Sequence, residues 1–383
     1  MRKICVVITA RPSYSRIKTA LIELKKHSKI ELQIIVAASA LLDRYGSAVN
    51  YIEKDGFYID AKVYNILEGE NPTTSAKTTG LGIIELSSVF ENIKPDIVVT
   101  IADRFETMAT AIAASYMNIP LAHIQGGEVT GNIDEKVRHA VTKLSDYHFV
   151  ASKNAYDRVL KLGESSSKIY NTGCPSIDLA KEIFSDNKIN FDIEEVYGGV
   201  GSKIDLSKEY IVVMQHPVTN ELNQSRKQIT ETLKAIEEIN MQTLWFWPNV
   251  DAGSEGTSKG IRSYREKKNL KNVHFFKNLE SKDFLKLIYN SKCLIGNSSV
   301  GIRESSYLGV PVVNIGSRQN RRARGENIID VDYNHKNIKK SILHWLNNDR
   351  PKKSKVYGGG NAGKKITEIL SDVELQFHKT INY

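Results

Sequence analysis

The chain has 383 residues and a formal net charge of +9, with 41% apolar and 25% charged residues. This length exceeds what one hydrophobic core usually serves, so two domains are expected. No apolar run approaches the roughly 18 residues of a membrane-spanning helix. The first apolar run ends at Arg11 and is too short for a secretion signal, so we predict a cytoplasmic protein without a membrane partner.

The positive charge is spread along predicted helices and partly concentrated in two loops, 318–324 and 350–355. The aromatic and zinc-finger patterns of nucleic-acid-binding domains are missing, so we predict no nucleic-acid partner and assign the excess to surface and to a pocket for an anionic ligand. Cys5, Cys174 and Cys293 lie far apart, without the spacing of metal ligands. We therefore expect reduced thiols, no metal and no cofactor.

Short apolar runs alternate with amphipathic segments from the start of the chain. Such runs predict strands covered on both faces, and their alternation with helices predicts a doubly wound, Rossmann-like α/β domain over 1–185. Its strands are predicted at 4–9, 32–37, 57–63, 97–101 and 121–124, and its helices at 13–26, 40–54, 75–92, 104–117, 135–144, 152–162 and 175–184.

A stretch rich in Asp, Asn, Gly and Ser, 185–208, is the best candidate for a linker. We predict a second Rossmann-like domain over 205–360, a terminal helical segment over 361–383 that packs back on the first domain, and a ligand in the cleft between the two sets of strand ends. The strands are predicted at 210–214, 243–246, 273–275, 293–295 and 312–315, and the helices at 221–239, 257–269, 281–290, 336–348 and 361–378.

The segment 296–324 contains a GNSS turn, a predicted helix over 300–308, a strand and an arginine-rich loop. Free N–H groups at a helix start, the helix dipole and the hydroxyls of Ser298 and Ser299 predict an anion site. A capped helix beside a solvated basic loop is the alternative, but the combination favours a phosphate or diphosphate. The loop brings four cations to the same sheet edge: Arg318, Arg321, Arg322 and Arg324.

Glu304 lies six residues after Ser298, about 9 Å along a helix, which suits a carboxylate that binds ribose hydroxyls while the turn holds a diphosphate. Asp330 and Asp332 resemble the metal-binding DxD sequence of some glycosyltransferases but lack companion ligands. Arginines and helix ends can neutralise the phosphate charge, so we predict no metal at this site.

Polar residues also follow the predicted strands of the first domain. Arg11 follows the first strand, where it can reach a phosphate, and Asp103 follows the fourth, where helix capping is the alternative. A cluster after the fifth strand contains paired glycines, which let backbone approach a ligand closely. We predict that at least one carboxylate of this edge is catalytic, with two basic residues one turn further along the helix to orient the set: Asp103, Glu128, Asp134 and Glu135, then Arg138 and His139.

In the second domain, His216 follows the first strand directly and precedes Pro217, which fixes the turn. This placement leaves the imidazole at the strand end, where it can act in acid–base chemistry or contact a phosphate. Asn249 and Asp251 follow the next strand and can hold ligand hydroxyls or phosphate.

Eight segments, in this order along roughly residues 1–350, resemble the hydrolysing UDP-N-acetylglucosamine 2-epimerases. The resemblance implies a glycosyltransferase-B-like fold and a reaction in two steps. UDP is eliminated as the C2 proton is removed, and water then adds to the glycal with inverted C2 configuration, which releases N-acetylmannosamine. The segments are TARPSYSR (9–16), DRFE (103–106), HIQGGEVTGNIDEKVRHA (123–140), TGCPSID (172–178), HPVT (216–219), WPNVDAGS (247–254), GNSSVGIRES (296–305) and GSRQ with RGEN (316–319 and 324–327).

By this resemblance, Glu304 binds the ribose, His216 assists the departure of UDP, and Asp103 and Asp134 occupy positions that carry the proton transfers. A homodimer or homotetramer and a role in sialic acid or surface polysaccharide biosynthesis are expected. The diphosphate falls to Arg11, Arg262, Ser298, Ser299 and Arg318. Further substrate contacts are predicted from Gln125, Asn249, Asp251, Gln319 and Arg322.

One departure concerns Gln125, where the family often has glutamate. An amide cannot act as a base, so proton transfer falls to Asp103, Glu128 or Asp134, or the substrate differs. Relatives that act on 2,4-diacetamido-6-deoxy sugar nucleotides, for legionaminic acid synthesis, are therefore the alternative. A retaining glycosyltransferase shares the fold but does not need these carboxylates, and a non-catalytic sensor would not need His216.

Overall fold

The computed structural model describes residues 1–69, 71–129, 133–218, 221–248, 254–268, 270–277 and 279–382. The chain forms two compact units. One comprises Met1–Leu179 together with Tyr357–Tyr383, and the other comprises Ala180–Val356. Among the helices in these described ranges, none is long and apolar enough to cross a lipid bilayer.

Seven parallel strands form the sheet of the first unit: β1 (Arg2–Ile8), β2 (Ile30–Ala37), β3 (Ala61–Val63), β4 (Ile97–Ile101), β5 (Leu121–Ile124), β6 (Tyr147–Val150) and β7 (Ile169–Asn171). Their spatial order is β3-β2-β1-β4-β5-β6-β7. The order changes direction between β1 and β4, which is where doubly wound sheets bind ligands. This topology confirms the predicted fold class.

Alternate residues of β1 face two different cores. Ile4, Val6 and Ile8 belong to one hydrophobic cluster, and Cys5 and Val7 belong to another. Both faces of the sheet are therefore covered, which is why its strands are uniformly apolar. The helices of this unit are α1 (Arg11–Lys26), α2 (Ala48–Lys54), α3 (Pro72–Ile93), α4 (Thr107–Tyr116), α5 (Ile133–Leu144), α6 (Lys153–Lys161) and α7 (Pro175–Glu182), the last of which runs on into the second unit.

The second unit has its own seven-stranded sheet, composed of β8 (Val200–Gly201), β9 (Ile211–Met214), β10 (Thr243–Phe246), β11 (Val273–Phe276), β12 (Leu294–Gly296), β13 (Val312–Ile315) and β14 (Ile328–Val331). The order is β14-β13-β12-β9-β10-β11-β8, and only the edge strand β8 is antiparallel among these pairs. Its helices are α8 (Ile193–Tyr197), α9 (Ser225–Ile239), α10 (Ser254–Lys267), α11 (Ser281–Asn290), α12 (Ser299–Ile302), α13 (Glu304–Leu308) and α14 (His335–Leu346).

The last part of the chain completes the first unit. Helix α15 (Ala362–Asp372) packs on α1, and a side chain at Gly363 would approach the backbone of Thr19 to 2.7 Å. Two N–H groups at the start of α15, of Ala362 and Gly363, donate to the Asp178 carboxylate at 2.8 and 2.7 Å. Since the first four N–H groups of a helix have no partner within the helix, this contact fixes where α15 begins.

A buried ionic cluster ties the segment after α15 to the same unit. The Glu164 side chain is 4% exposed, accepts hydrogen bonds from Nζ of Lys143 (2.6 Å) and Lys379 (2.7 Å), and lies 3.0 Å from Nε2 of His148. Burial acts to raise the pKa of Glu164, but the three partners outweigh it and lower that pKa to about 2. Burial lowers the pKa of His148.

Several predicted elements differ from the structure. The predicted helix over 40–54 consists of two short 3-10 turns before α2, because Gly46 adopts a left-handed conformation (φ +87°) that interrupts it. The predicted linker over 185–208 contains α8 and the edge strand β8. The predicted terminal helix ends at Asp372 and not at residue 378.

Strands β6 and β7 were not predicted, because their runs are short and interrupted by polar residues. His148 lies within β6 and is fully buried, and its Nε2 is paired there with the Glu164 carboxylate. A four-residue run that contains a histidine gives no clear strand pattern in the sequence. The partner that explains the buried histidine, Glu164, lies sixteen residues further along the chain.

We expect Glu164→Gln to lower the free energy of unfolding by about 2 kcal/mol at pH 7, because it leaves two half-buried ammonium groups without their carboxylate. The lowered pKa means that the carboxylate stabilises the fold above the unfolded pKa, near 4.3, and that this contribution is lost as the pH falls towards 2. The thermal unfolding temperatures of variant and wild type should therefore converge between pH 7 and pH 3.

Asp157→Asn, which removes an exposed partner of Lys153, is the matched control and should change the unfolding temperature by less than about 2 °C. A difference between wild type and Glu164→Gln that stays constant from pH 7 to pH 3 would contradict the ionic role.

Candidate active site

Parallel strands carry the predicted site residues of the first unit to one edge of its sheet. Arg11 begins α1 just after β1, Asp103 follows β4, and Gln125 follows β5. Because β1, β4 and β5 are neighbours and parallel, their carboxyl ends lie at the same edge. Asp134 lies in the first turn of α5 and is half-buried.

Arginines hold the carboxylate of Asp103, which is 8% exposed. It contacts Nη2 of Arg138 and lies 3.9 Å from Nη1 of Arg16. Arg138 is itself buried, and its Nη1 donates to the carbonyl of Glu128 at 2.9 Å. Arg138 therefore joins the loop after β4 to the loop after β5. The alternative role of Asp103 as a helix cap is not observed, since α4 begins at Thr107 after Glu106.

Two further carboxylates lie close to this group in sequence. Glu128 is 4% exposed, so its carboxylate is largely withdrawn from water. Glu135 lies on α5, where its Oε1 is 3.4 Å from Nε2 of His139. The basic residues of α5 thus contact different carboxylates, with Arg138 at Asp103 and His139 at Glu135.

Gln125 occupies a strained and buried position. Its φ of +66° is in the left-handed region, which non-glycine residues rarely adopt, and the residue is 2% exposed. Its Nε2 donates to the Cys174 thiol at 2.9 Å, and that sulfur lies 3.0 Å from Oγ of Ser176. The structure therefore explains an amide here, because the side chain donates to sulfur inside the unit.

The guanidinium of Arg11 is positioned by the segment around α2. It lies over the ring of Tyr51, 4.9 Å from the ring centroid. A Cβ at Gly46 would approach Nη1 of Arg11 to 2.9 Å and would displace this guanidinium, and the positive φ of Gly46 favours glycine independently. Arg11 is half-buried at the sheet edge.

The second unit collects its predicted residues at the ends of β9, β12 and β13, which are adjacent and parallel. His216 follows β9 and is 5% exposed. The carbonyl of Asn297, after β12, accepts hydrogen bonds from Nη1 of Arg318 (3.1 Å) and Nε2 of Gln319 (2.8 Å), both after β13. The turn and the loop are therefore one connected group.

The helix predicted over 300–308 is interrupted at Arg303, which gives two short helices, α12 and α13. A four-residue helix has only a small dipole, so anion binding here depends on side-chain donors more than the sequence suggested. Ser298 is the N-cap residue, and its hydroxyl makes no capping hydrogen bond. Nη2 of the buried Arg303 donates to Oγ of Ser299 at 2.9 Å.

Because Ser299 Oγ accepts from Arg303, its own proton is available for donation to a ligand. Arg303 also adds a buried positive charge directly behind the turn. The sequence analysis missed this residue. The available signal was a single arginine between Ile302 and Glu304, in a segment otherwise made of small and apolar residues.

Glu304 is 9% exposed, and its Oε2 has no hydrogen-bond partner among the described residues. Oε1 of Gln319, 2% exposed, likewise lacks one within the described ranges. Buried polar atoms in native proteins are almost always satisfied, so these two acceptors indicate donors that come from a ligand or from water. Sugar hydroxyls are donors of this kind.

The arginines of the loop 318–324 have different partners. Arg318 donates to the Asn297 carbonyl in the turn and Arg322 is mostly buried, whereas Arg324 is paired with Asp330 through two hydrogen bonds of 2.8 and 3.1 Å. The four-arginine phosphate site stays a prediction, and Arg324 would have to exchange Asp330 for the ligand. Asp330 also accepts from Nδ2 of Asn314, and the described residues contain no cluster placed to hold a metal ion.

The remaining predicted contacts come from the loop after β10. Arg262 is exposed on α10, with its guanidinium 5.9 Å from the ring centroid of Trp247. Asn249 and Asp251 lie outside the described residues.

The family model for UDP-N-acetylglucosamine 2-epimerase matches residues 22–371. The chain belongs to the UDP-N-acetylglucosamine 2-epimerase family. This confirms the resemblance carried by the eight sequence segments, and it places Asp103, His216 and Glu304 within the matched range.

Two relatives in this family are 33% identical to the chain. The UDP-N,N'-diacetylbacillosamine 2-epimerase (hydrolyzing) of Legionella pneumophila matches over 98% of this chain and 97% of its own length. The GDP/UDP-N,N'-diacetylbacillosamine 2-epimerase (hydrolyzing) of Campylobacter jejuni matches over 87% and 85%. The UDP-N-acetylglucosamine 2-epimerase of Neisseria meningitidis serogroup B is 28% identical over 98% of this chain and 96% of its own.

The fold of the chain also matches solved structures. The UDP-GlcNAc 2-epimerase from Neisseria meningitidis, bound to UDP-GlcNAc, superposes with a TM-score of 0.81 at 22% identity, over 96% of this chain and 99% of that one. The enzyme of Methanocaldococcus jannaschii, in complex with UDP-GlcNAc and UDP, gives a TM-score of 0.78 at 21% identity, over 96% and 99%. At these identities the likeness shows the fold.

We expect Glu304→Gln to leave the unfolding temperature of the free protein unchanged or to raise it, because it removes a buried charge whose Oε2 has no hydrogen-bond partner among the described residues. Binding of UDP, measured by calorimetry, should weaken about 10- to 100-fold, since hydrogen bonds to a charged group contribute roughly 1.5–3 kcal/mol. Glu266→Gln, at an exposed position of α10, should change neither quantity. Loss of stability without loss of UDP affinity would exclude Glu304 from the ligand site.

Proposed function

We propose that this protein is a hydrolysing 2-epimerase of a UDP-linked 2-acetamido sugar. The observation that carries the proposal is the pair of buried acceptors at Glu304 and Gln319 that have no hydrogen-bond partner among the described residues, in the same unit as hydroxyl and arginine donors. Such a group suits a ligand that combines sugar hydroxyls with a diphosphate. Membership of the family and the carboxylates of the first unit support the epimerase chemistry.

In the proposed reaction, the anomeric C1–O bond breaks and its electron pair leaves with UDP. The C2 proton passes to a carboxylate, which gives a glycal with a C1–C2 double bond. Water then adds its oxygen to C1, and a proton returns to C2 on the opposite face. The products are UDP and a free 2-acetamido sugar with inverted configuration at C2.

The departing diphosphate gains negative charge as the C1–O bond breaks, and preorganised donors lower the energy of that state. We assign this work to the hydroxyls of Ser298 and Ser299 and to Arg318, with Arg303 behind Ser299. Arg11, Arg262 and Arg322 are further cations for the diphosphate. Glu304 would bind ribose hydroxyls, and Gln319 would accept from another ligand group.

His216 is assigned to the departure of UDP. Its position at the end of β9 is buried, and a protonated imidazole can donate to the diphosphate oxygen as the bond to C1 breaks. The backbone of the residue is fixed on both sides by hydrogen bonds to Asn297, at 2.7 and 2.8 Å.

Proton transfer at C2 is assigned to the carboxylates of the first unit. Asp103 contacts Arg138, and a guanidinium stabilises the ionised form that a base needs at the start of the reaction. Glu128 and Asp134 are the partners that would return a proton or activate water. Gln125 would contact the substrate without transferring a proton, since its amide is already bonded to Cys174.

The sugar is either N-acetylglucosamine, as the sequence segments suggest, or a 2,4-diacetamido-2,4,6-trideoxy sugar. The two relatives at 33% identity are named for diacetylbacillosamine and favour the second, whereas the relative at 28% is named for UDP-N-acetylglucosamine. A polysialic acid biosynthesis protein of Escherichia coli is 30% identical over 98% of this chain and 93% of its own length. This relative supports N-acetylglucosamine and a role in surface polysaccharide synthesis.

Incubation with each UDP-sugar in deuterated water, followed by NMR, tests the function. Free UDP together with the C2-inverted sugar, deuterated at C2, is the expected result for one of the two substrates, and the faster one identifies the sugar. A product that keeps its UDP would indicate a non-hydrolysing epimerase. Absence of turnover on both would overturn the proposal.

We expect His216→Ala to slow the release of UDP about 10²- to 10⁴-fold, the usual range for general acid–base catalysis. Asp103→Asn, which preserves shape and removes the charge, should lower incorporation of deuterium at C2 by a similar factor. UDP release and C2 exchange are measured in the same NMR experiment. Full activity in both variants would mean that the catalytic assignment is wrong.

A further inference from the structure

A single side chain holds the backbone of His216 in place. Asn297, 1% exposed, accepts a hydrogen bond at its Oδ1 from the N–H of His216 (2.7 Å) and donates through its Nδ2 to the carbonyl of the same residue (2.8 Å). Only one orientation of the amide satisfies both groups, because the N–H must face oxygen and the carbonyl must face N–H. Both polar atoms of the Asn297 amide are thus engaged by one residue.

These two hydrogen bonds prolong the pairing of β9 and β12 beyond the ends of the strands. The last backbone pair is Gly296 with Met214, and the N–H of Asn297 donates to the Met214 carbonyl at 3.1 Å. Gly296 has a φ of +131°, and a Cβ there would approach that carbonyl oxygen to 2.1 Å. Gly296 lets the chain turn close to β9. The side-chain amide of Asn297 therefore reaches His216, which lies two residues after Met214.

The backbone of His216 requires partners of this kind. The residue is 5% exposed, so its backbone groups need partners within the protein. Pro217, which follows, has no N–H to contribute to a ladder. A shift of about 1 Å in the backbone that carries a catalytic imidazole can lower the reaction rate on the order of 10²-fold.

The main chain of Asn297 does a separate task. Its carbonyl accepts from Arg318 (3.1 Å) and Gln319 (2.8 Å), which belong to the diphosphate side of the proposed site. Substitution of the side chain leaves this carbonyl in place. The effect on His216 can therefore be separated by experiment from the effect on nucleotide binding.

We propose that Asn297 is a positioning residue that fixes His216 for the departure of the nucleoside diphosphate. The proposal rests on the proposed function, and it adds a residue that acts on the reaction only through His216. Its side chain sets the position of the imidazole, while its carbonyl organises the neighbouring loop.

The kinetic test is a double-mutant cycle with Asn297→Ala, His216→Ala and the double variant. Asn297→Ala should lower kcat about 10- to 100-fold and leave the Kd for UDP within about threefold. The double variant should be within about threefold of His216→Ala alone, because the positioned group is already absent. Losses that multiply, or a loss of UDP affinity as large as the loss in kcat, would overturn the proposal.

Asn327→Ala is the matched control. Asn327 is also a fully buried asparagine of the second unit, and its amide accepts from Ser306 Oγ (2.7 Å) and donates to the Val310 carbonyl (2.8 Å). It should lose comparable thermal stability while kcat stays within about twofold. An equal drop in kcat in both variants would show a merely structural role for Asn297. Should Asn297→Ala fail to fold, Asn297→Ser replaces it, since its hydroxyl can hold a water molecule in place of the amide.

Amide hydrogen exchange tests the geometry independently of turnover. The N–H of His216 should exchange at least about tenfold faster in Asn297→Ala than in wild type or Asn327→Ala, because its acceptor is gone. Unchanged exchange would overturn the proposal. If wild type converts no sugar nucleotide, the proposed function fails, and the exchange result together with the UDP-induced shift of the His216 Cε1–H resonance in each variant still decides the positioning.

Discussion

Burial of both faces of two sheets, each built mainly of parallel strands, is the constraint on which the rest of this structure depends. A strand that is covered on both sides has little room for polar side chains, as β1 shows with its alternate residues in two cores. Polar and charged groups are therefore displaced to the strand ends. In parallel sheets those ends lie at one edge, so the same constraint that builds the core also gathers the chemistry.

Each unit then uses one buried residue to join the loops that leave its sheet. In the first unit, Arg138 contacts the Asp103 carboxylate and donates to the Glu128 carbonyl, which connects the loops after β4 and β5. In the second, Asn297 connects the loops after β9, β12 and β13. The charged guanidinium of Arg138 suits the carboxylates of the first unit. The neutral amide of Asn297 suits the backbone groups of His216, because it places no negative charge beside the proposed anionic ligand.

Much of this organisation is present in the sequence, because apolar runs and the residues that follow them identify strands and their ends. Asp103, His216 and Glu304 were predicted as site residues in this way, and Arg138 was predicted to orient the carboxylates. Asn297 and Arg303 were not singled out, since Asn297 looks like a turn residue and Arg303 like a surface charge until the packing is known. Their roles depend on contacts with residues far away in the chain, as with Asn297 and His216, which are separated by 81 positions.

The break at Arg303 and the position of Gln125 show a second kind of limit. Helix propensity favours a continuous helix over 300–308, but burial of a guanidinium that serves Ser299 overrides it. Gln125 is held in a left-handed conformation by neighbours that include the Cys174 thiol. Local preference is overruled where a side chain has a specific partner, and sequence patterns describe preferences rather than partners.

The return of residues 357–382 to the first unit has a consequence for biosynthesis. Helix α15 and the Lys379 segment supply one helix of that unit and part of its buried ionic cluster, yet they leave the ribosome after the whole second unit. The unit that carries Asp103 and Glu128 can be completed only when translation of residue 379 is over. The second unit is continuous in sequence and can fold while synthesis proceeds, so the unit that is begun first is completed last.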